Sequence, residues 1–150
     1  MARTDFSTLD CSVARGISEV GDIWSFLIIR EAMFGVRQYS KFLQNTNMAR
    51  NVLTERLNAL VSRGVMAKID VGEHGTRYEY ELTEKGRDLL PVIVAVRQWA
   101  DKWVEPEDRA IVELTDSQRG KPLARLLVRD QRGRALDIED ITVRFPTGGR

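Results

Sequence analysis

The sequence predicts a mainly helical α+β protein with one small β hairpin and a short β appendage behind it. Three observations predict it. Apolar residues recur at helical spacing in four successive segments before Gly64. Two runs rich in β-formers, VMAKIDV at 65–71 and RYEYEL at 77–82, flank the glycine-containing GEHGT. A long apolar helical face follows, and beyond it a turn-rich segment of different character.

In the first segment, Val13, Ile17 and Val20 mark one face of a short helix that stops at Gly21. Asp22 is a good N-cap for IWSFLIIREAMF, a run apolar on nearly all sides and so expected to be a buried helix ending at Gly35. QYSKFLQN at 38–45 is a two-turn helix with Tyr39, Phe42 and Leu43 inward, followed by turn chemistry in NTN at 45–47. The next helix spans 49–63, packs Leu53, Leu57, Leu60 and Val61, and stops at Gly64. The two runs and GEHGT then make a hairpin, because glycine can take the positive φ of a tight loop. Thr83 caps a long helix bearing Leu89, Leu90, Ile93, Val96, Trp99 and Trp103, with Pro91 expected to kink its interior. Three packed helices followed by a two-stranded hairpin define a winged helix-turn-helix.

EPED at 105–108 breaks the pattern and divides a domain at 1–104 from an extension at 105–150. The extension holds a weak repeat, SQRGKPL at 117–123 and DQRGRAL at 130–136, spaced thirteen residues apart. Each copy puts glycine in a turn, and the following LARLLVRD and DIEDITVRF read as strands. PTGGR at the end is expected to be disordered.

Composition narrows the function. At 150 residues, with 43% hydrophobic and 30% charged, the chain suits one soluble domain with a small appendage. Its apolar runs fall far below the ~20 residues of a membrane span, and MARTDFSTLDCSV has no signal-peptide core. A cytoplasmic protein is expected. Cys11 and His74 are each the sole residue of their type, which excludes an internal disulfide and a Cys/His zinc site from one subunit. His74, between glycines, is poorly placed as an oriented base, and no phosphate-cradling glycine motif occurs. Residues 37–63 carry Arg37, Lys41, Arg50, Arg56 and Arg63 against Glu55, a net +4 in a chain of net +1. Such asymmetry favours an anionic partner.

The stretch CSVARGISEVGDIWSFLIIREAMFGVRQYSKFLQ resembles the HxlR-type winged-helix regulators, relatives of the MarR group. Cys11-Ser12-Val13, Gly21 to Trp24, and Gly35 to Tyr39 match that family's motifs. NVLTERLNALVSRGV is similar to its recognition helix, and YEYELTEKGRDLLPVI to its second wing strand and dimer helix. The likeness covers about residues 9–104. Ser12 replaces the usual Pro, Tyr39 the usual Phe, and Ala49 stands where a Ser N-cap is common. The extension is similar to a zinc-ribbon-like tail of some relatives, with Arg119 and Arg132 where cysteines would stand, which implies a tail without metal.

In a helix-turn-helix the second helix enters the DNA major groove. Arg50, Asn51, Thr54 and Asn58 lie off the leucine stripe of the helix at 49–63, and Arg and Asn suit guanine and adenine edges. Arg56 is a further DNA candidate that could equally brace neighbouring helices. Arg37 and Lys41 suit phosphates, and His74 and Arg77 sit at the wing tip beside an opposing Glu73. A plain solvated face is the competing reading for all of these, and the turn and wing around them favour DNA.

The family likeness makes Cys11 a candidate thiol sensor, with Arg15 one turn away to favour thiolate. A small buried thiol is the preferred reading of a lone cysteine. Val13, Ile17, Ile93, Val96, Trp99 and Trp103 are read as a dimer contact, which would present two recognition helices to a palindromic operator. The expected protein is a homodimeric, DNA-binding, nucleoid-associated transcription regulator without cofactor or catalysis, responsive to oxidants, electrophiles or a small effector. Two alternatives stand beside it: a winged helix that makes only protein contacts, and an enzyme that uses carboxylates.

Overall fold

The computed structural model describes residues 9–106 and 112–144. Eight elements occur in order: α1 (Ser12–Val20), α2 (Ile23–Met33), α3 (Tyr39–Thr46), α4 (Arg50–Ser62), β1 (Met66–Asp70), β2 (Tyr78–Leu82), α5 (Glu84–Arg87) and α6 (Leu90–Trp103). A 3-10 turn at Ile138–Asp140 follows. The chain divides into two compact units, 1–93 and 94–150.

The first unit is a winged helix. Ile28 and Ile29 of α2, Phe42 of α3 and the Leu53–Leu57–Leu60 stripe of α4 are fully buried, and Val65, Met66, Tyr80 and Leu82 close the core from the wing. Phe42 meets Tyr80 edge-to-face, with ring centroids 6.5 Å apart. Asp22 caps α2 by accepting from the Ser25 amide at 3.0 Å. Glu31, a buried carboxylate, is compensated at 2.6 Å by both Arg30 and the Asn45 amide, so α2 and α3 are tied through it. Strands β1 and β2 pair antiparallel with Met66 opposite Leu82 and Asp70 opposite Tyr78. The Tyr80 amide donates to the Arg37 carbonyl at 2.8 Å, which partly covers the outer edge of β2.

Thr83 caps α5 and its hydroxyl also donates to the Gly64 carbonyl at 2.6 Å. Gly86 is required there, because a Cβ would lie 2.2 Å from the Val65 carbonyl oxygen. The long helix expected after Thr83 is in fact two. The break at Asp88–Leu89 precedes Pro91, which stands in the first turn of α6 instead of kinking an interior. Proline lacks the amide that would continue α5, yet fits a first turn where no amide partner is needed.

Two other expectations are corrected within the first unit. α2 is not buried all round, since Ile23 and Trp24 are exposed. The turn after α3 is shorter than NTN, because Asn45 and Thr46 remain helical and only Asn47 takes the left-handed conformation.

In the second unit both repeat copies form turns, each closed by an isolated bridge: Thr115 to Pro122 and Arg129 to Ala135. Gly120 and Gly133 hold φ of +63° and +84°, a conformation that disfavours any side chain. No strand forms among the described residues of the extension. DIED instead makes the 3-10 turn, with a capping box between Asp137 and Asp140. Leu126, Leu127, Val128 and Val143 stay exposed, so no buried face enforces a ladder. The Gln98 side chain bonds the main chain on both sides of Arg125, donating to the Ala124 carbonyl at 3.0 Å and accepting from the Leu126 amide at 2.8 Å. The expectation for residues 146–150 lies outside the described residues.

Candidate nucleic-acid interface

The site begins with how α4 is held. Its N-cap is Ala49, which offers no side-chain bond. From α3 the Tyr39 hydroxyl holds this end of the helix in another way, donating to the Arg50 carbonyl at 2.9 Å and lying 3.0 Å from the Thr54 hydroxyl. The Thr54 hydroxyl also bonds the Arg50 carbonyl at 2.9 Å. Three groups therefore converge on the first turn of α4. The sequence offered Tyr39 as an inward aromatic in place of the usual Phe, and the hydroxyl this exchange adds calls for a partner, which was the available signal.

Beyond this clamp the polar face of α4 is open. Arg50, Asn51 and Asn58 are exposed, and their side chains make no hydrogen bond or ion pair among the described residues. Thr54 is exposed too, although its hydroxyl is engaged in the clamp. Arg56 differs. Only 20% of its side chain is exposed, and its guanidinium sits 2.6 Å from Asp22 and 2.7 Å from Glu55. That geometry favours the bracing role over the DNA role offered beside it.

The basic excess of 37–63 is smaller in space than in sequence. Arg37 pairs with Glu79 at 3.2 Å and Glu81 at 2.7 Å, and Arg56 pairs with Asp22. These acids lie outside the sequence window. Arg63 donates to the Glu19 carbonyl. Lys41 and Arg50 keep uncompensated charge, Lys41 contacting only Gln44 at 3.3 Å. At the wing tip His74 and Arg77 are exposed, Arg77 being 3.7 Å from Glu79. Lys68 of β1, not singled out in the sequence, lies over the Tyr78 ring at 4.1 Å and adds an exposed cation to the wing.

Elsewhere, Glu19 of α1 binds Lys85. The hydrogen bond from Lys85, aided by the charges of Lys85 and Arg63, holds the Glu19 carboxyl below its ordinary value, with partial burial acting against them. Cys11 is exposed, which corrects the buried-thiol expectation. Arg15 turns toward the Leu9 carbonyl at 3.1 Å and Asp10 at 3.6 Å. Among the apolar candidates, Val13, Ile17, Val96, Trp99 and Trp103 are exposed, the two tryptophans by 60% and 66%. Ile93 instead packs partly against the core. No helix among the described residues is long and apolar enough to cross a membrane, and no cluster of three His, Cys, Asp or Glu there could hold a metal.

Comparison with known proteins bears on this arrangement. Residues 19–108 match the family model described as HxlR-like helix-turn-helix. HTH-type transcriptional regulator Rv3095 of Mycobacterium tuberculosis (strain ATCC 25618 / H37Rv) is 33% identical over 131 residues, covering 87% of this chain and 83% of that protein. HTH-type transcriptional regulator YodB of Bacillus subtilis (strain 168) is 29% identical over 108 residues, covering 71% and 96%. Among solved structures PA1607, described as a candidate transcription factor, superimposes with a TM-score of 0.87 at 39% identity, covering 94% of this chain and 99% of that one.

Proposed function

The chain belongs to the HxlR-like helix-turn-helix family of transcriptional regulators, and on that premise we propose that it acts as a homodimer on a pseudo-palindromic DNA operator. Residues 1–104 bind DNA and dimerise, and 105–150 form an extension. The reading rests above all on the open polar face of α4, where Arg50, Asn51 and Asn58 stand exposed and unengaged on a helix pinned by Tyr39. Arg50 and Asn51 offer base-edge recognition, Lys41 holds phosphate, and His74, Arg77 and the wing follow the backbone. Such a protein works in the cytoplasm at the nucleoid.

The experiment pairs Arg50→Ala with Lys41→Ala on operator and scrambled duplexes. Arg50→Ala should cost about 1–3 kcal/mol on the operator alone, whereas Lys41→Ala weakens both duplexes alike. Equal loss on both duplexes for Arg50→Ala removes it from base readout. Absence of salt-dependent affinity for any duplex would favour the protein-contact alternative.

Dimerisation is supported by the exposed Val96, Trp99 and Trp103 along α6, together with Val13 and Ile17 of α1. Burying each such side chain is worth about 1.5–3 kcal/mol, enough in combination to hold two chains together. Trp99→Glu should therefore yield monomers by sedimentation and greatly weakened operator binding, although no DNA-facing residue changes. A folded, dimeric, DNA-competent Trp99→Glu protein would move the contact elsewhere.

A second reading concerns regulation. Cys11 is exposed, and YodB, a relative, has been crystallised after diamide treatment. With a single cysteine per chain, oxidation links Cys11 to a partner subunit or a small thiol. Diamide should weaken operator binding by wild type and spare Cys11→Ser. Equal responses would make the thiol structural.

A further inference from the structure

The repeated turns of the extension have no role in the reading above. Between residues 117 and 136 six cations stand against the single acid Asp130. The acids that open the two turns are engaged internally. Asp116 accepts from the Gln118 amide at 2.9 Å, and Asp130 accepts from the Arg132 and Arg134 amides, each at 2.9 Å. Two of the cations belong to the same scaffold: Arg129 donates to the Gly133 carbonyl, and Arg134 pairs with Asp130 and Asp140.

The other four, Arg119, Lys121, Arg125 and Arg132, are exposed, and their side chains have no acidic partner among the described residues. Arg119 and Arg132 immediately precede the left-handed glycines, and Lys121 follows the first, so both turns project cations beside their tips. The arrangement fixes the backbone with the acids and leaves the basic groups outward. Phosphate oxygens would supply these four outward cations with the partners they lack.

We propose that the second unit is a sequence-independent DNA contact, in which Arg119, Lys121, Arg125 and Arg132 grip phosphates of duplex DNA. The inference rests on the DNA-binding reading. Three of the four residues are arginines, whose planar fork matches phosphate oxygens.

The test replaces all four with glutamine and measures affinity for a random-sequence duplex several helical turns long, across a range of NaCl concentrations. The slope of log affinity against log salt should fall by about 0.9 for each cation that had neutralised a phosphate. With all four engaged the expected loss is about 3.6 per chain, with operator preference over the scrambled duplex unchanged. Lysine at 119, 125 and 132 should retain the wild-type slope. If the four-site variant does not fold, Arg119→Gln with Lys121→Gln, confined to one turn, should show about half the change. A folded glutamine variant with the wild-type slope overturns the inference and reassigns the patch to an acidic protein or to solvent. Salt-independent or absent binding by the wild type would sink the DNA-binding reading itself.

Discussion

The two units are built on different physics. The first buries Ile28, Ile29, Phe42, Leu53, Leu57 and Leu60 completely. In the second, Val94 is the sole buried hydrophobic residue among those described, and its turns are fixed by aspartate side chains, left-handed glycines and the Gln98 amide. One unit is ordered by what it excludes from water. The other is ordered by where its polar groups find partners. A given truncation should therefore act very unequally in the two.

The sharpest way to break this contrast is a matched pair of truncations. Phe42→Ala opens a cavity at the centre of the helical core and should cost about 3–5 kcal/mol. Leu127→Ala shortens a side chain that is already 46% exposed and should cost about 0.5 kcal/mol. Chemical denaturation of both variants measures the difference. Comparable losses would mean that Leu127 is covered, most simply by a second chain.

A smaller effect is expected from Gln98→Ala. It deletes both side-chain bonds to the 124–126 segment, at about 0.5–1.5 kcal/mol each. The loss should appear as faster proteolysis and amide exchange in residues 112–144, with protection in the first unit unchanged. Slower or unaltered exchange in the extension would show that its order comes from another source.

The smallest effect is electrostatic and belongs to the first unit. Because the folded-state pKa of Glu19 is depressed, its pairing with Lys85 stabilises the fold above the ordinary carboxylate value of 4.5. That stabilisation is lost as pH falls through the lowered value. Both side chains are about half exposed, so solvent screening leaves a few tenths of a kcal/mol. Glu19→Gln should lower the melting temperature slightly at neutral pH and match wild type in strong acid. A difference that persists in strong acid would assign the effect to packing instead.

The contrast also explains what the sequence made legible. Where residues are periodically buried, composition carries the answer: Leu53, Leu57 and Leu60 marked α4, and Met66 to Asp70 marked the wing. Turn chemistry was legible as well, since Asp-Gln-Arg-Gly prefigured its turn. The strands expected beside those turns do not form among the described residues, because alternation fixes a strand only when one face has something to cover it. Pro91 was recognised as a disruption but placed wrongly, since the choice between kink and helix start depends on residues packed elsewhere. Within the site, exposed residues of α4 followed from periodicity. The pairing of Arg37 with Glu79 and Glu81, and of Arg56 with Asp22, joins segments far apart in the chain and leaves no local signature.

The clamp at the start of α4 has a consequence for how this protein can change over generations. Tyr39 grips the main-chain carbonyl of Arg50, not its side chain, and its second partner is Thr54. Positions 50, 51 and 58 can therefore exchange one residue for another without loosening the helix that carries them. After duplication, a copy could vary at those three exposed positions while keeping its fold and its thermal stability. Tyr39 and Thr54 do not share that freedom. On the proposed reading, what the helix recognises can be rewritten one position at a time, because two hydroxyls hold it through a main-chain carbonyl.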